Sequence, residues 1–395
     1  MKTLCLSLLL FLLLGAMNRI HSAENDAAGG KKPKSRISVD HENMVLAPYA
    51  WKRFGTGADA RAEATVPGAY LKIIVQHSAE LSLLVDGEAN NGCPATSMPV
   101  IDFSVDGGAY KTVQLSKTGS VYALPLGENL KNDTPHRVDV YFRAANLGPE
   151  RWKTSKVHLR IAGVEVDEAG TLLPCPKRAK SAIGFGDSIT EGVCVEGMCP
   201  YYSNLLMNNA RMTWLPIACA ALDCEYGQIG SGGQGVLKPM SLPPLPESWD
   251  HYDAATSRLT NGLLLPEPDY VFCCMGTNDF QGDGNDRKQL DIAPAYIAWL
   301  VSMRKACPNA MLFCITPPLG WHVAEIAAAV AARQTAGDPK VFLIDTAPLK
   351  SGYAASSATQ FAPDGVHPSI YGNAILGALV AVEAQKIISK SEARR

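Results

Sequence analysis

The pattern of hydrophobic and polar positions changes near the middle of the chain. Between about residues 37 and 173, apolar and polar side chains alternate in short runs such as VIDFSVDG and HRVDVYFRA. Such alternation is typical of half-buried β-strands. Asp-Gly pairs at 86–87 and 106–107, which favour tight hairpin turns, separate several of the runs. The first half is therefore predicted to be an antiparallel β-sandwich of jelly-roll type.

From about residue 181 onward, short apolar runs are followed by longer helix-like stretches. The runs SAIGFG, DYVFCCMG, MLFCIT and VFLIDT show little alternation, as expected for parallel strands that are buried on both faces. Helix-like stretches are YYSNLLMNNARM, APAYIAWLVSMRKA, VAEIAAAVAARQTA and GNAILGALVAVEAQKIISK. This order predicts an α/β domain with a central parallel sheet.

The N-terminus is typical of a secretory signal peptide. Lys2 precedes the apolar run LCLSLLLFLLLGAM, and small residues suit cleavage near Ala23. A membrane anchor is the alternative, but the run is short for a span. We expect a secreted or periplasmic protein without stable membrane insertion after cleavage. The predicted divisions are a signal peptide (1–23), a flexible lead-in (24–36), a β-sandwich domain (37–173), a linker (174–180) and an α/β domain (181–395).

Composition narrows the classes of partner. Of the 395 residues, 47% are hydrophobic and 19% charged, which allows a large packed core. The net charge of −2 lacks the basic excess that nucleic acids or anionic membranes require. No Gly-rich phosphate-binding fingerprint opens the α/β half, so nucleotide binding is unsupported.

The cysteines leave two interpretations open. Loss of the signal peptide removes Cys5, and the spacings Cys194/Cys199 and Cys219/Cys224 permit local disulfides in an oxidising compartment. Buried thiols are equally compatible with the apolar run that contains Cys273-Cys274. No histidine joins the paired-cysteine pattern, so a zinc site is not expected.

Polar residues with catalytic potential follow three of the predicted strands. Asp187-Ser188 follows the first, Asn278 the second, and the loop DGVHPS with Asp364 and His367 the last. The carboxyl ends of parallel strands share one edge of a sheet, so these side chains can meet there. Taken singly, each residue also suits a helix cap or a turn.

The residue types at this edge suit nucleophilic catalysis. A Ser hydroxyl needs a base, which His provides near neutral pH, and a carboxylate fixes the imidazole tautomer and stabilises its cation. The spacing from Asp364 to His367 allows one turn to bring both side chains together. Asn278 and backbone N–H groups can stabilise a developing oxyanion.

Four motifs in order, GDSIT, GQIGSGGQG, GTND and DGVHP, resemble the blocks of the SGNH (GDSL-type) hydrolases. The resemblance implies a flavodoxin-like hydrolase domain with Ser188 as nucleophile, His367 as base and Asp364 as its orienting residue. It also implies an oxyanion hole formed by Ser188, Asn278 and a Gly of the second block. Gly232 and Gly233 both fit that place, and Gly233 is preferred.

The sandwich followed by the hydrolase motifs is similar to the second family of carbohydrate esterases, with acetylxylan-esterase-like members. This similarity implies a secreted serine esterase that removes O-acetyl groups from carbohydrate, without cofactor or metal. Asp187, Gly232 and Trp321 are weaker candidates for substrate contacts. His322 is a rival base only if DGVHP does not reach Ser188. A lipase, phospholipase or thioesterase on the same scaffold, or a non-catalytic carbohydrate-binding protein, remains the alternative.

Overall fold

A computed structural model describes residues 33–146, 151–153, 155–197, 205–282, 287–346 and 360–393 of the chain. The predicted signal peptide and Cys199 lie outside these residues. Residues Lys34–Arg395 form one compact unit. Within the described part, no helix is long and apolar enough to cross a bilayer.

The N-terminal part consists of two antiparallel sheets whose buried faces share one hydrophobic cluster, so the predicted β-sandwich is confirmed. Its strands are β1 Lys34–Ser38, β2 Val45–Leu46, β3 Lys52–Phe54, β4 Arg61–Ala64, β5 Tyr70–Gln76, β6 Leu81–Asp86, β7 Val100–Val105, β8 Lys111–Gln114, β9 Val121–Gly127, β10 His136–Ala144, β11 Leu159–Asp167 and β12 Thr171–Leu173. One sheet has the order β3-β4-β11-β6-β9 and the other β12-β5-β10-β7-β8. Because β1 pairs with β11 from Lys34 onward, the predicted lead-in extends three residues too far.

The C-terminal part is built on a parallel five-stranded sheet, as predicted. Its strands are β13 Lys180–Gly186, β14 Cys224–Gly230, β17 Tyr270–Cys274, β20 Met311–Ile315 and β21 Val341–Ile344; two short hairpins add β15 His251–Asp253, β16 Thr256–Ser257, β18 Phe280–Gln281 and β19 Lys288–Gln289. The spatial order β14-β13-β17-β20-β21 is the flavodoxin-like order, in which the second strand lies at one edge.

Six α-helices lie in the described part of this half: α1 Ser188–Glu191, α2 Trp214–Ala221, α3 Leu245–Ser248, α4 Ala293–Ala306, α5 Val323–Thr335 and α6 Ile370–Glu392. The three long predicted helices correspond to α4, α5 and α6. The helix predicted over 201–212 is wrong in its described portion, where two short 3₁₀ turns occupy residues 205–207 and 210–212. The α-helix begins only at Trp214.

Strand β14 lies against the sandwich, which explains its polar sequence. The Glu225 carboxylate accepts a 2.8 Å hydrogen bond from Lys72 of β5 and another from the Tyr70 hydroxyl. Gln228 is fully buried and donates to the carbonyl oxygens of Thr190 and Ala210. The sandwich therefore covers an edge that would otherwise expose unpaired backbone groups.

Gly227 allows the closest approach between β14 and the sandwich, since a Cβ there would overlap with the Pro48 carbonyl oxygen. We expect Gly227→Ala to lower the free energy of unfolding by about 1–3 kcal/mol, because backbone must shift to admit the methyl group. Urea denaturation measures this. Gly127→Ala, whose methyl group would meet only the flexible Leu130 side chain, is the control. Equal stability of the two variants would contradict the close contact.

The described cysteines of the two stretches considered above, Cys219/Cys224 and Cys273-Cys274, are buried thiols. Cys219 and Cys224 are both free, and the Cys224 thiol donates to the Cys219 carbonyl oxygen at 3.6 Å. A disulfide between them is therefore absent from the structure. Cys273 and Cys274 are buried thiols in β17, and burial raises the pKa of both well above the ordinary value.

Candidate active site

Ser188 lies where β13 ends and α1 begins. Asp187 precedes it as the helix N-cap, and its carboxylate accepts the Ile189 N–H at 2.9 Å. The Asp187 side chain is fully buried, and burial raises its pKa to about 6. A substrate cannot reach this carboxylate in the structure, so the weak prediction of a substrate contact at Asp187 is replaced by a capping role.

The structure joins Ser188, His367 and Asp364 in one hydrogen-bonded chain. His367 Nε2 lies 2.8 Å from Ser188 Oγ, and His367 Nδ1 lies 2.6 Å from Asp364 Oδ2. The second carboxylate oxygen of Asp364 accepts the backbone N–H groups of Val366 and His367 at 2.9 and 3.0 Å. These bonds hold the carboxylate in the turn that precedes α6.

The charged forms of His367 and Asp364 stabilise each other. Burial lowers the pKa of His367, but the hydrogen bond and charge of Asp364 outweigh it, so the net pKa lies above the ordinary value. Burial raises the pKa of Asp364, yet its bonds with the His367 side chain and backbone hold that pKa at about 2. Asp364 is therefore ionised at neutral pH.

In the second glycine block, the N–H groups of the two neighbouring residues Gly232 and Gly233 differ in their hydrogen bonding. The Gly232 N–H donates to Glu191 Oε2 at 2.7 Å. The N–H groups of Gly233 and Ser188 have no acceptor among the described residues. Gly233 adopts a φ of +75°, in the region that favours glycine. The Gly232 N–H is thus already hydrogen-bonded, and the Gly233 N–H remains the candidate donor to an oxyanion.

Asn278 follows β17 and is tied to the same glycine-containing segment. Its Nδ2 atom donates to the Gln234 carbonyl oxygen at 3.0 Å, which fixes the amide beside Gly233. Because a side-chain amide carries two N–H groups, one donor is left for another acceptor. The Asn278 side chain is half-buried.

Comparison with known proteins agrees with these motifs. Residues 185–375 match the GDSL-like Lipase/Acylhydrolase family. The matched segment contains Ser188, Asn278, Asp364 and His367. The protein is accordingly a carboxylic ester hydrolase. A search of curated proteins finds no match to the chain.

Solved structures of low sequence identity share the fold of this chain over most of its length. A family two carbohydrate esterase from Cellvibrio japonicus is 18% identical, with a TM-score of 0.69 over 91% of this chain and 99% of that chain. The acetyl xylan esterase Est2A from Butyrivibrio proteoclasticus is 17% identical, with a TM-score of 0.68 over 90% and 99%. A family two carbohydrate esterase from Clostridium thermocellum, in complex with cellohexaose, is 17% identical, with a TM-score of 0.65 over 88% and 99%.

Trp321 is the weaker candidate for a substrate contact, and His322 is the rival base considered from the sequence. Trp321 is half-buried and packs edge-to-face on Phe280 at 5.0 Å, with the Arg287 guanidinium 5.1 Å from its ring. His322 is buried, and its Nε2 atom is 2.9 Å from the Asp279 carbonyl oxygen. The His322 ring is therefore bonded to Asp279, whereas His367 is the histidine whose ring lies within hydrogen-bond distance of Ser188.

Asp279 has a structural role that the sequence did not predict. Its buried carboxylate accepts the N–H groups of Val236, Leu237 and Lys238 at 2.8, 2.7 and 3.2 Å. This aspartate therefore fixes the loop that follows the second glycine block. Its position in the GTND motif, directly after Asn278, is the only sequence signal for that role.

Two residues of the hydrogen-bonded chain also belong to a set of three side chains that could bind a metal ion. Potential ligand atoms of Cys194, Asp364 and His367 lie within 4.8 Å of one another. Both His367 nitrogens already have partners, namely Asp364 and Ser188. A metal ion bound there would displace these partners, so the group does not suit a resident metal. The absence of a metal or cofactor requirement stays a prediction.

Proposed function

We propose that the chain is a secreted serine esterase that removes O-acetyl groups from carbohydrate through Ser188, His367 and Asp364. The hydrogen-bonded chain from Ser188 Oγ through the His367 ring to Asp364 carries this proposal. The signal-peptide-like N-terminus supports secretion. Two comparison structures named as family two carbohydrate esterases, one of them in complex with cellohexaose, and a third named as an acetyl xylan esterase support the acetylated carbohydrate substrate.

The proposed reaction transfers the acetyl group from the sugar to Ser188 and then to water. His367 Nε2 takes the Ser188 proton as Oγ attacks the acetyl carbonyl carbon, and Asp364 stabilises the resulting imidazolium. His367 then returns the proton to the departing sugar oxygen, which leaves an acetyl group on Ser188. Water attacks this acetyl-enzyme with His367 again as base. Acetate departs, and Ser188 regains its proton.

The carbonyl oxygen becomes negatively charged in each tetrahedral intermediate. The N–H groups of Ser188 and Gly233 and the Asn278 amide are the proposed donors to it. The first two are unpaired within the described residues, and the third is fixed by Gln234. Donors that are already positioned need little reorganisation during the reaction, which makes them effective.

The contribution of Asp364 is testable by pH dependence. Asp364→Ala should lower kcat by about 10²-fold at neutral pH, because the imidazole loses its orienting and stabilising carboxylate. Neutral His367 is the active form, and its pKa is raised by Asp364, so activity falls as pH drops through that pKa. The variant should therefore show its acidic limb in the kcat/KM profile at lower pH.

A second Asp–His pair provides a control for this prediction. Asp106 Oδ2 lies 2.7 Å from His136 Nδ1 in the sandwich. Asp106→Ala should leave kcat and the acidic limb unchanged. An Asp364→Ala enzyme with near wild-type kcat and an unmoved acidic limb would leave Ser188 and His367 as a dyad, with Asp364 shaping only the turn.

Substrate class is tested by acetate release from acetylated xylan, glucomannan and cello-oligosaccharides, with Ser188→Ala as the blank. Hydrolysis of p-nitrophenyl acetate is compared with that of p-nitrophenyl palmitate. We expect acetate release and a strong preference for the acetyl ester. Preference for palmitate would favour a lipase-type hydrolase, and carbohydrate binding without hydrolysis would favour a non-catalytic binding protein.

A further inference from the structure

Arg151 is a charged residue buried beside the proposed site although it belongs to the chain segment between β10 and β11 of the sandwich. Its side chain is 1% exposed. One guanidinium nitrogen donates to Glu191 Oε1 at 2.7 Å, and another donates to the Asn146 carbonyl oxygen at 2.6 Å. Burying such a charge carries a desolvation penalty.

Glu191 connects this arginine to both sides of the proposed oxyanion site. It is the last residue of α1, three positions after Ser188, and it is only 3% exposed. One carboxylate oxygen accepts from Arg151, and the other accepts the Gly232 N–H at 2.7 Å. The adjacent Gly233 provides the unpaired N–H. The Glu191 carboxylate thus fixes the peptide that precedes the proposed donor.

We infer that Arg151 is a positioning residue, through which the sandwich holds the oxyanion donor of the hydrolase half in place. The Arg151 guanidinium fixes Glu191, and Glu191 fixes Gly232, so that the Gly233 N–H keeps its direction toward the substrate carbonyl oxygen. Within the described residues, the hydrogen bonds of Arg151 go to Glu191 and Asn146 and not to Ser188 or His367. This inference rests on the proposed function, since it assigns a role within that site.

The planar arginine fork is suited to this task. One nitrogen donates to Glu191 and another to the Asn146 carbonyl, so the two bonds fix the orientation of the guanidinium beside the carboxylate. Lysine presents a single point charge and cannot reproduce both contacts with the same geometry. Without the arginine, Glu191 would be a buried carboxylate that has lost its cation, and its remaining bond to Gly232 would lose orientation.

The test compares two buried ion pairs that both link the sandwich to the hydrolase half. Arg151→Met breaks the pair at the oxyanion segment, whereas Lys72→Met breaks the pair with Glu225 on β14. Arg151→Met should lower kcat by about 10- to 100-fold with little change in KM, because a misplaced donor acts mainly in the transition state. Lys72→Met should keep its kcat per folded molecule.

A boronic acid inhibitor gives a readout that a purely structural role would not move. It forms a tetrahedral adduct that needs the oxyanion donors, so its affinity should fall by the same factor as kcat in Arg151→Met. Loss of stability without loss of boronate affinity per folded molecule, or a kcat equal to wild type, would overturn the inference.

Milder variants cover the case in which Arg151→Met does not fold. Arg151→Lys keeps the charge without the fork, and Glu191→Gln keeps an oxygen that can accept from Gly232. We expect intermediate losses of kcat and of boronate affinity in both; wild-type values in both would overturn the inference. Activity of the wild type that disappears in Ser188→Ala establishes the proposed site first, so failure there is separable from failure of the Arg151 inference.

Discussion

Ser188→Ala should reduce kcat for p-nitrophenyl acetate by about 10⁴-fold or more, since loss of the nucleophile removes the covalent route. The Ser188 hydroxyl is 2.8 Å from His367 Nε2 and projects from the end of β13, so only its oxygen is lost in the variant. Asp187 retains its bond to the Ile189 N–H, and the start of α1 should persist. The unfolding midpoint should therefore stay close to that of the wild type.

Ser181→Ala is the matched control for this result. Ser181 lies near the other end of the same strand, where its hydroxyl is 2.8 Å from the Tyr49 hydroxyl. Its removal should affect stability and leave kcat unchanged. Retention of a tenth or more of wild-type kcat by Ser188→Ala would exclude Ser188 as the nucleophile.

Asn278→Ala should lower kcat by about 10²- to 10³-fold with a small change in KM, as expected for an oxyanion donor. The bond from Nδ2 to the Gln234 carbonyl oxygen places the amide beside the glycine segment, and the variant loses that placement together with the donor. Steady-state kinetics separate the two parameters.

Asn278→Asp keeps the size of the side chain but replaces its donors with a negatively charged acceptor. We expect it to lose at least as much kcat as Asn278→Ala, because the charge would also repel the developing oxyanion. A large increase in KM at unchanged kcat, in either variant, would instead assign Asn278 to ground-state binding of the substrate.

The parts of the fold that the sequence predicted are those in which local pattern and burial agree. Strands such as β17 and β20 are continuous apolar runs buried on both faces, and α4 lies over the stretch with helical character. Strand β14 escaped prediction because its Glu225 and Gln228 are polar. Their partners come from the sandwich and from the segment around α1, and no local pattern reveals those contacts.

The candidate site, too, was predicted only in part from the sequence. The order of the four motifs was sufficient to bring Ser188, Asn278, Asp364 and His367 together as a hypothesis, because strand ends of a parallel sheet converge. The sequence favours Gly233 over Gly232, and the Glu191 carboxylate, which accepts the Gly232 N–H, supports that preference. Arg151 had no sequence signal, since its partner is 40 positions away along the chain.

Covalent labelling tests the central claim most directly. The enzyme is treated with an alkyl fluorophosphonate, which phosphonylates activated serine hydroxyls, and the labelled peptide is mapped by mass spectrometry. The account predicts label on Ser188 in the wild type, strongly slowed labelling in His367→Ala, and no labelled peptide in Ser188→Ala. Label on any other residue, or an active enzyme that resists the reagent, would contradict a mechanism based on Ser188 and His367.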